Sequence, residues 1–114
     1  MLRISSFGFS KGGAPEDSVF VFDCRKLRNP HFRSDMRDID GRHDKVQKFV
    51  ACDPDFDTVY GPAKFHALTY PDTHLAFGCF GGKHRSVAMA EMLGAHLRAK
   101  GLEVEVSHRE LARS

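Results

Sequence analysis

A chain of 114 residues has the size of one α/β domain and no room for a second catalytic domain. Its formal charge of +2 excludes nucleic-acid binding by bulk charge alone, because that footprint needs basic residues gathered on one face. Three cysteines, Cys24, Cys52 and Cys79, are an odd number with no C-x-x-C pair, which argues against a disulfide framework and a zinc site.

Met1-Leu2-Arg3 leads into a polar stretch without a signal-peptide core, and no run approaches the roughly 18 apolar residues of a membrane span. A soluble cytoplasmic protein with no membrane contact and no cofactor is expected. Ile4 to Phe9 alternates as a first strand with Phe7 and Phe9 on one face, and Ser10 to Pro15 is a loop. Val19 to Cys24 is a continuous apolar and aromatic run, which predicts a strand buried on both faces. Asp23 and Arg25 at its end would face the crevice that open α/β sheets form at the carboxyl ends of their strands.

Arg25 to Asp44 has no periodicity and interleaves arginines with Asp35, Asp38, Asp40 and Asp44. It reads either as a solvated surface loop or as one lending arginines to an anionic partner. Lys45 to Ala51 is a short amphipathic helix with Val46, Phe49 and Val50 inward, and a second helix over Phe56 to Leu68 is interrupted by Gly61-Pro62. Leu75 to Cys79 is a strand. Val87 to Lys100 is the strongest helix, with Met89, Met92, Leu93, His96 and Leu97 in one stripe and Gly101 as its stop. Leu102 to Val106 is a last strand, parallel to Leu75 to Cys79 through a right-handed helical crossover, and Ser107 to Glu110 ends it close to the crevice. The sum is a single small α/β domain with a mostly parallel sheet of about four strands, flanking helices and a strand-loop-helix anion site.

That site is the segment L-A-F-G-C-F-G-G-K-H-R-S-V from Leu75 to Val87. The first N–H groups of a helix have no intrahelical partner and the macrodipole is positive there, so an oxyanion is favoured. Gly81 and Gly82 let the backbone form a concave nest, Arg85 can add a bidentate contact, Lys83 a point charge, and Ser86 an N-cap or one more donor. Cys79 and Arg85 also fit the Cys-x5-Arg-Ser loop of cysteine-dependent phosphatases, in which a thiolate attacks phosphorus. In that alternative Cys79 is the nucleophile, Arg85 the clamp and Asp72 or Asp23 the general acid. Gly78 stands where those enzymes have histidine. The other readings of Cys79 are a small buried residue ending a strand and a ligand-contacting thiol.

These islands, Ser6-Phe7-Gly8-Phe9, Val21-Phe22-Asp23-Cys24-Arg25 with Asn29-Pro30-His31, Met36-Arg37, the Gly78 to Val87 block and His108-Arg109-Glu110-Leu111, run nearly the length of the chain. In this order they resemble the C-terminal domain of the RNase adapter protein RapZ, a family also called YvcJ-like nucleotide-binding proteins. The resemblance implies a fold similar to a phosphofructokinase subdomain, and a module that senses glucosamine-6-phosphate and binds a small RNA. It also implies a homo-oligomer and, since no G-x-x-x-x-G-K-[ST] occurs here, a free-standing module that carries no ATPase activity of its own and either works with a separately encoded ATPase or has lost that function. The positions it places at the ligand are Phe9, Arg25, Cys79, Gly81, Gly82, His84, Arg85 and Ser86. Phe80 stands where the family has threonine, which removes a hydroxyl donor.

Overall fold

Four apolar runs form strands that all point the same way. In the computed structural model, which describes residues 1–112, they are β1 (Leu2–Gly8), β2 (Phe20–Asp23), β3 (His74–Cys79) and β4 (Val104–His108). They make one parallel sheet in the order β2-β3-β1-β4, flanked by α1 (Asp44–Ala51), α2 (Phe56–Thr69), α3 (Arg85–Ala99) and the one-turn α4 (Arg109–Ala112). The expected class, a single α/β domain with a four-stranded parallel sheet, is what the chain adopts.

The two inner strands explain the frame. Every residue of β3 is buried, and in β1 only Arg3 is exposed, so neither strand shows the alternation of a half-solvated strand. Leu2, Ile4, Leu75 and Phe77 meet Leu93 and Leu97 of α3, Val46 and Val50 of α1, and Ala63 and Ala67 of α2 in one core. Each large apolar side chain so buried contributes about 1.5–3 kcal/mol.

Two expectations need correction, and a third gains its neighbour. The Val19 to Cys24 strand is not buried on both faces: β2 is an edge strand, with Val19 and Val21 exposed while Phe20 and Phe22 pack inward, Phe20 stacked on His66 at 4.1 Å. The last strand is parallel as expected, yet its neighbour is β1, from Leu2↔Val104 to Ser6↔His108, because α3 carries the chain past β1. Gly61-Pro62 does not interrupt α2. Pro62 lies on the exposed side, and so does Thr58, whose carbonyl loses its helical donor and can turn to water.

Helix α3 follows β3 after five residues and packs against β1, β3, β4 and α1, which is why its first six residues are buried all round instead of along one stripe. It ends where expected, at Gly101 with φ +90°. The parallel order gathers the strand ends Gly8, Asp23, Cys79 and His108 at one edge of the sheet. The loops that follow them lie together at that edge.

Candidate functional site

The turn from β3 into α3 is shaped by two glycines. A Cβ at Gly78 would stand 2.4 Å from Cζ of Phe7 and 2.6 Å from Cε2 of Phe9, so those rings require glycine in this strand. Gly82 has φ +73° and lies against the backbone of Gly8 and the side chain of Glu110, whose carboxylate accepts from the Gly8 N–H at 2.8 Å. Between them, Cys79 is buried with its Sγ 3.1 Å from the Ser86 hydroxyl, and that hydroxyl is 3.4 Å from the carbonyl of Phe7. Ser86 is therefore inside the first turn of α3, not its N-cap. The N-cap is His84, and no side chain caps the helix.

The long loop after β2 is stitched over this turn. Arg85 Nη1 donates to the carbonyls of Arg25 at 2.8 Å and Leu27 at 3.1 Å, Lys83 Nζ donates to that of Arg37 at 2.8 Å, and Gly41 N–H donates to that of Lys83 at 2.9 Å. His84 Nε2 lies 2.9 Å from the carbonyl of Met36 and donates to it. Burial holds the His84 imidazole below its ordinary value, with Lys83 and His31 pushing the same way against the Met36 and Ile39 carbonyls, so at neutral pH it is an uncharged donor. Arg85 is only 6% exposed, and its Nε is buried with no hydrogen-bond partner. A guanidinium placed so is an incomplete site for an acceptor.

Phe9 and Arg25 stack on each other, the guanidinium 4.0 Å above the ring centroid, and Arg25 forks onto Asp23 at 2.7–3.1 Å. That fork holds the Asp23 carboxyl below the usual carboxylate range. Arg42 pairs in the same way with Asp40, and Arg33 lies 3.4 Å from Asp35. Arg25, Arg33 and Arg42 are thus each locally neutralised by an aspartate.

A cavity of about 470 Å³ opens on the loop, lined by Cys79, Phe80, Gly81, Lys83, His84 and Arg85 from the central segment. Lys11, Asn29, His31 and Phe32 close it from the other strand ends. A neighbouring cavity of about 560 Å³ lies on the far side of Gly81 to Lys83, with Gly82, Arg42, Asp40 and Glu110 in its wall. Of the residues expected at a ligand, Phe9, Arg25, Gly82 and Ser86 do not line the first cavity; Gly82 lines the second. Asn29 and Phe32 were not singled out as ligand positions by the sequence, since nothing in a charged aperiodic loop says which residues will return to the sheet edge.

Asp72, one of the two candidate general acids of the phosphatase alternative, is at the opposite end of the strand from Cys79. It precedes β3, it is exposed, and it pairs with the amino terminus at 2.8 Å. The strand from His74 to Cys79 carries the thiol roughly 16 Å away at about 3.3 Å per residue.

A parallel sheet whose strand-loop-helix turn at the carboxyl edge carries glycines defines an open α/β domain. Within that class the chain belongs to the RapZ C-terminal domain family, whose model matches residues 1–112. It is 41% identical over 121 residues to a nucleotide-binding protein of Dinoroseobacter shibae, covering 98% of this chain and 40% of that protein. Nucleotide-binding proteins of Novosphingobium aromaticivorans and Frankia alni are 40% and 42% identical, over 97% and 96% of this chain. The chain spans about 40% of the length of the curated relatives it matches.

Proposed function

We propose that this chain is a phosphate- or phosphosugar-binding domain with a sensing or adapter role, the anion held by the Gly78 to Ser86 loop at the start of α3. One observation carries this reading: buried Arg85, a residue of the cavity wall whose Nε has no hydrogen-bond partner, opens a fifteen-residue helix whose N-cap makes no side-chain hydrogen bond. The backbone donors of a helix start and a guanidinium together suit an oxyanion. The nucleotide-binding names of the relatives agree with a phosphate-bearing ligand. Several charge-assisted hydrogen bonds at roughly 1.5–3 kcal/mol each, less the association cost, correspond to micromolar to millimolar affinity, which suits metabolite sensing. Glucosamine-6-phosphate is the first ligand to try, and a separately encoded ATPase, RNA and further copies of the chain are the partners to seek.

The phosphatase reading is the weaker one. Cys79 is buried against the Ser86 hydroxyl, and Asp23 is held by Arg25. RNA binding through the loop arginines has to compete with their aspartate partners.

The test is a thermal-shift and calorimetric titration with phosphate, sulfate, glucosamine-6-phosphate and glucosamine. The expected result is a shift with the phosphosugar that glucosamine does not give and that Arg85→Lys reduces. No shift with any anion overturns the reading. A second assay follows aryl phosphate turnover by wild type and Cys79→Ser; turnover lost only in the variant would favour the enzyme instead.

A further inference from the structure

The sheet has two edges, and the chain treats them differently. At β4, Glu105 is exposed beside Glu103, and Arg98 of α3 places Nε and Nη2 on the carbonyl of Val104 at 3.2 and 2.9 Å. Charge and a side chain on the free backbone keep an edge from pairing with another strand. The β2 edge has neither. It pairs with β3 alone, and Val19 to Phe22 contains no charged residue and no proline. Cys24 donates its N–H to the carbonyl of Gly78 in β3, and alternate residues of a parallel strand bond to the same neighbour, so the backbone groups of Val21 point away from β3.

Apolar surface gathers at the same edge. Of the eight large apolar side chains exposed among the described residues, five belong to the β2 run or to α2 and its C-cap: Val19, Val21, Phe65, Leu68 and Tyr70. Phe65 and Tyr70 connect to the strand through rings. His66 stacks on Phe20 at 4.1 Å, the Tyr70 ring lies 5.5 Å from that of Phe20, and the Phe65 ring lies 5.8 Å from that of His66. Aromatic side chains next to unpaired backbone have the make-up of an interface core.

We infer that the β2 edge is the interface of a two-fold dimer, in which a second copy of this chain adds its β2 antiparallel about an axis at Val21 and joins the two sheets into one. That axis sets Val21 against Val21 and brings Arg25 of each copy, four residues on, toward Asp17 of the other, four residues back. Arg25 and Asp17 are opposite in sign and more than half exposed, and each already holds a partner in its own chain, Asp23 and Arg3, so the new pairs extend existing ones. An unrelated strand would need an acid and a base at these same offsets, whereas a second copy supplies both by symmetry. The inference is independent of the anion site.

The experiment is sedimentation of the whole chain over a concentration series, for wild type, Val21→Lys, Phe65→Glu and Glu105→Lys. All three positions are exposed, so the core stays intact, and the unfolding midpoint of each variant verifies it. Wild type is expected to form a dimer whose fraction rises with concentration. Val21→Lys and Phe65→Glu should each weaken it at least about tenfold, because like charges then face each other across the axis, and Glu105→Lys should leave it unchanged. Exposed Cys52 is replaced by serine for a second readout. In that background Val21→Cys treated with oxidised glutathione should give a disulfide-linked dimer, since opposed residues of a hydrogen-bonded antiparallel pair stand about 5.5 Å apart at Cα, and Glu105→Cys should not. A wild-type chain that stays monomeric throughout overturns the second copy as the occupant of this edge. A dimer that both Val21→Lys and Phe65→Glu leave intact, or one that Glu105→Cys links and Val21→Cys does not, puts the interface on a different face and overturns the inference as well.

Discussion

Arg85 Nη1 lies 2.8 Å from the carbonyl oxygen of Arg25, so the side chain proposed to meet the anion also fastens the loop that roofs it. Truncation at Arg85 removes two donated hydrogen bonds and leaves the carbonyls of Arg25 and Leu27 short of a donor. Arg85→Ala is expected to cost about 2–4 kcal/mol of stability, read as a lower urea midpoint at unchanged slope. Arg85→Lys, which keeps the charge and one donor group, should cost less. A ligand assay on either variant is meaningful only below its own unfolding transition. An Arg85→Ala midpoint equal to wild type would show that the loop is held by other contacts.

Neighbouring glycines should separate fold from binding. A Cβ at Gly82 would meet Cγ of Glu110 at 2.5 Å and the backbone nitrogen of Gly8 at 2.7 Å, at a φ that side chains rarely adopt. Gly82→Ala is expected to lose about 1–3 kcal/mol or more. At Gly81 nothing lies within 4 Å of the added Cβ, and φ is not positive. Gly81→Ala should melt within a few degrees of wild type while weakening phosphate binding, because its methyl enters the space above the loop. If both variants unfold alike, the loop is more constrained than these contacts indicate.

Thiol chemistry distinguishes a buried strand end from a nucleophile. Cys52 is exposed, whereas Cys24 and Cys79 are buried, and burial pushes the Cys24 thiol well above its ordinary value, with Cys79 and Asp23 adding to the effect. A thiol of that kind is protonated and shielded. With a disulfide reagent at pH 8, one of the three cysteines should react rapidly in the native protein and all three after denaturation. Mass spectrometry should place the fast adduct on Cys52. Rapid labelling of Cys79 would revive the phosphatase reading.

How far the sequence carried depended on whether local pattern or tertiary packing decided the outcome. The anion loop was legible because a strand, a Gly-Gly pair and a helix start are adjacent in the chain. The parallel α/β class followed from strands separated by helical runs. The edge position of β2 was not legible, since Val19-Phe20-Val21-Phe22 reads as doubly buried and only the strand order places Val19 and Val21 in solvent. The bonds of Arg85, Lys83 and His84 to carbonyls of Arg25, Arg37 and Met36 join residues 46 to 60 positions apart, and no periodicity encodes them. For Asp72, a position so close to Cys79 in sequence cannot face it, because the intervening strand separates its two ends by its full length.

Acid stability should report on His84. Its folded-state value is depressed from 6.5, first by burial. The unfolded chain therefore takes up a proton before the native state does, and the stability tied to neutral His84 is fully present above about pH 6.5 and lost as pH falls through the depressed folded value. Asp17, Asp23, Asp40 and Asp53 are depressed from 3.8, so their contribution is present above that value and disappears only at lower pH. The two windows are separate. Between pH 7 and 5 the melting temperature of wild type is expected to fall more steeply than that of His84→Gln, whose amide can still donate to the Met36 carbonyl but cannot titrate. Parallel curves over that interval would assign the acid sensitivity to a different group.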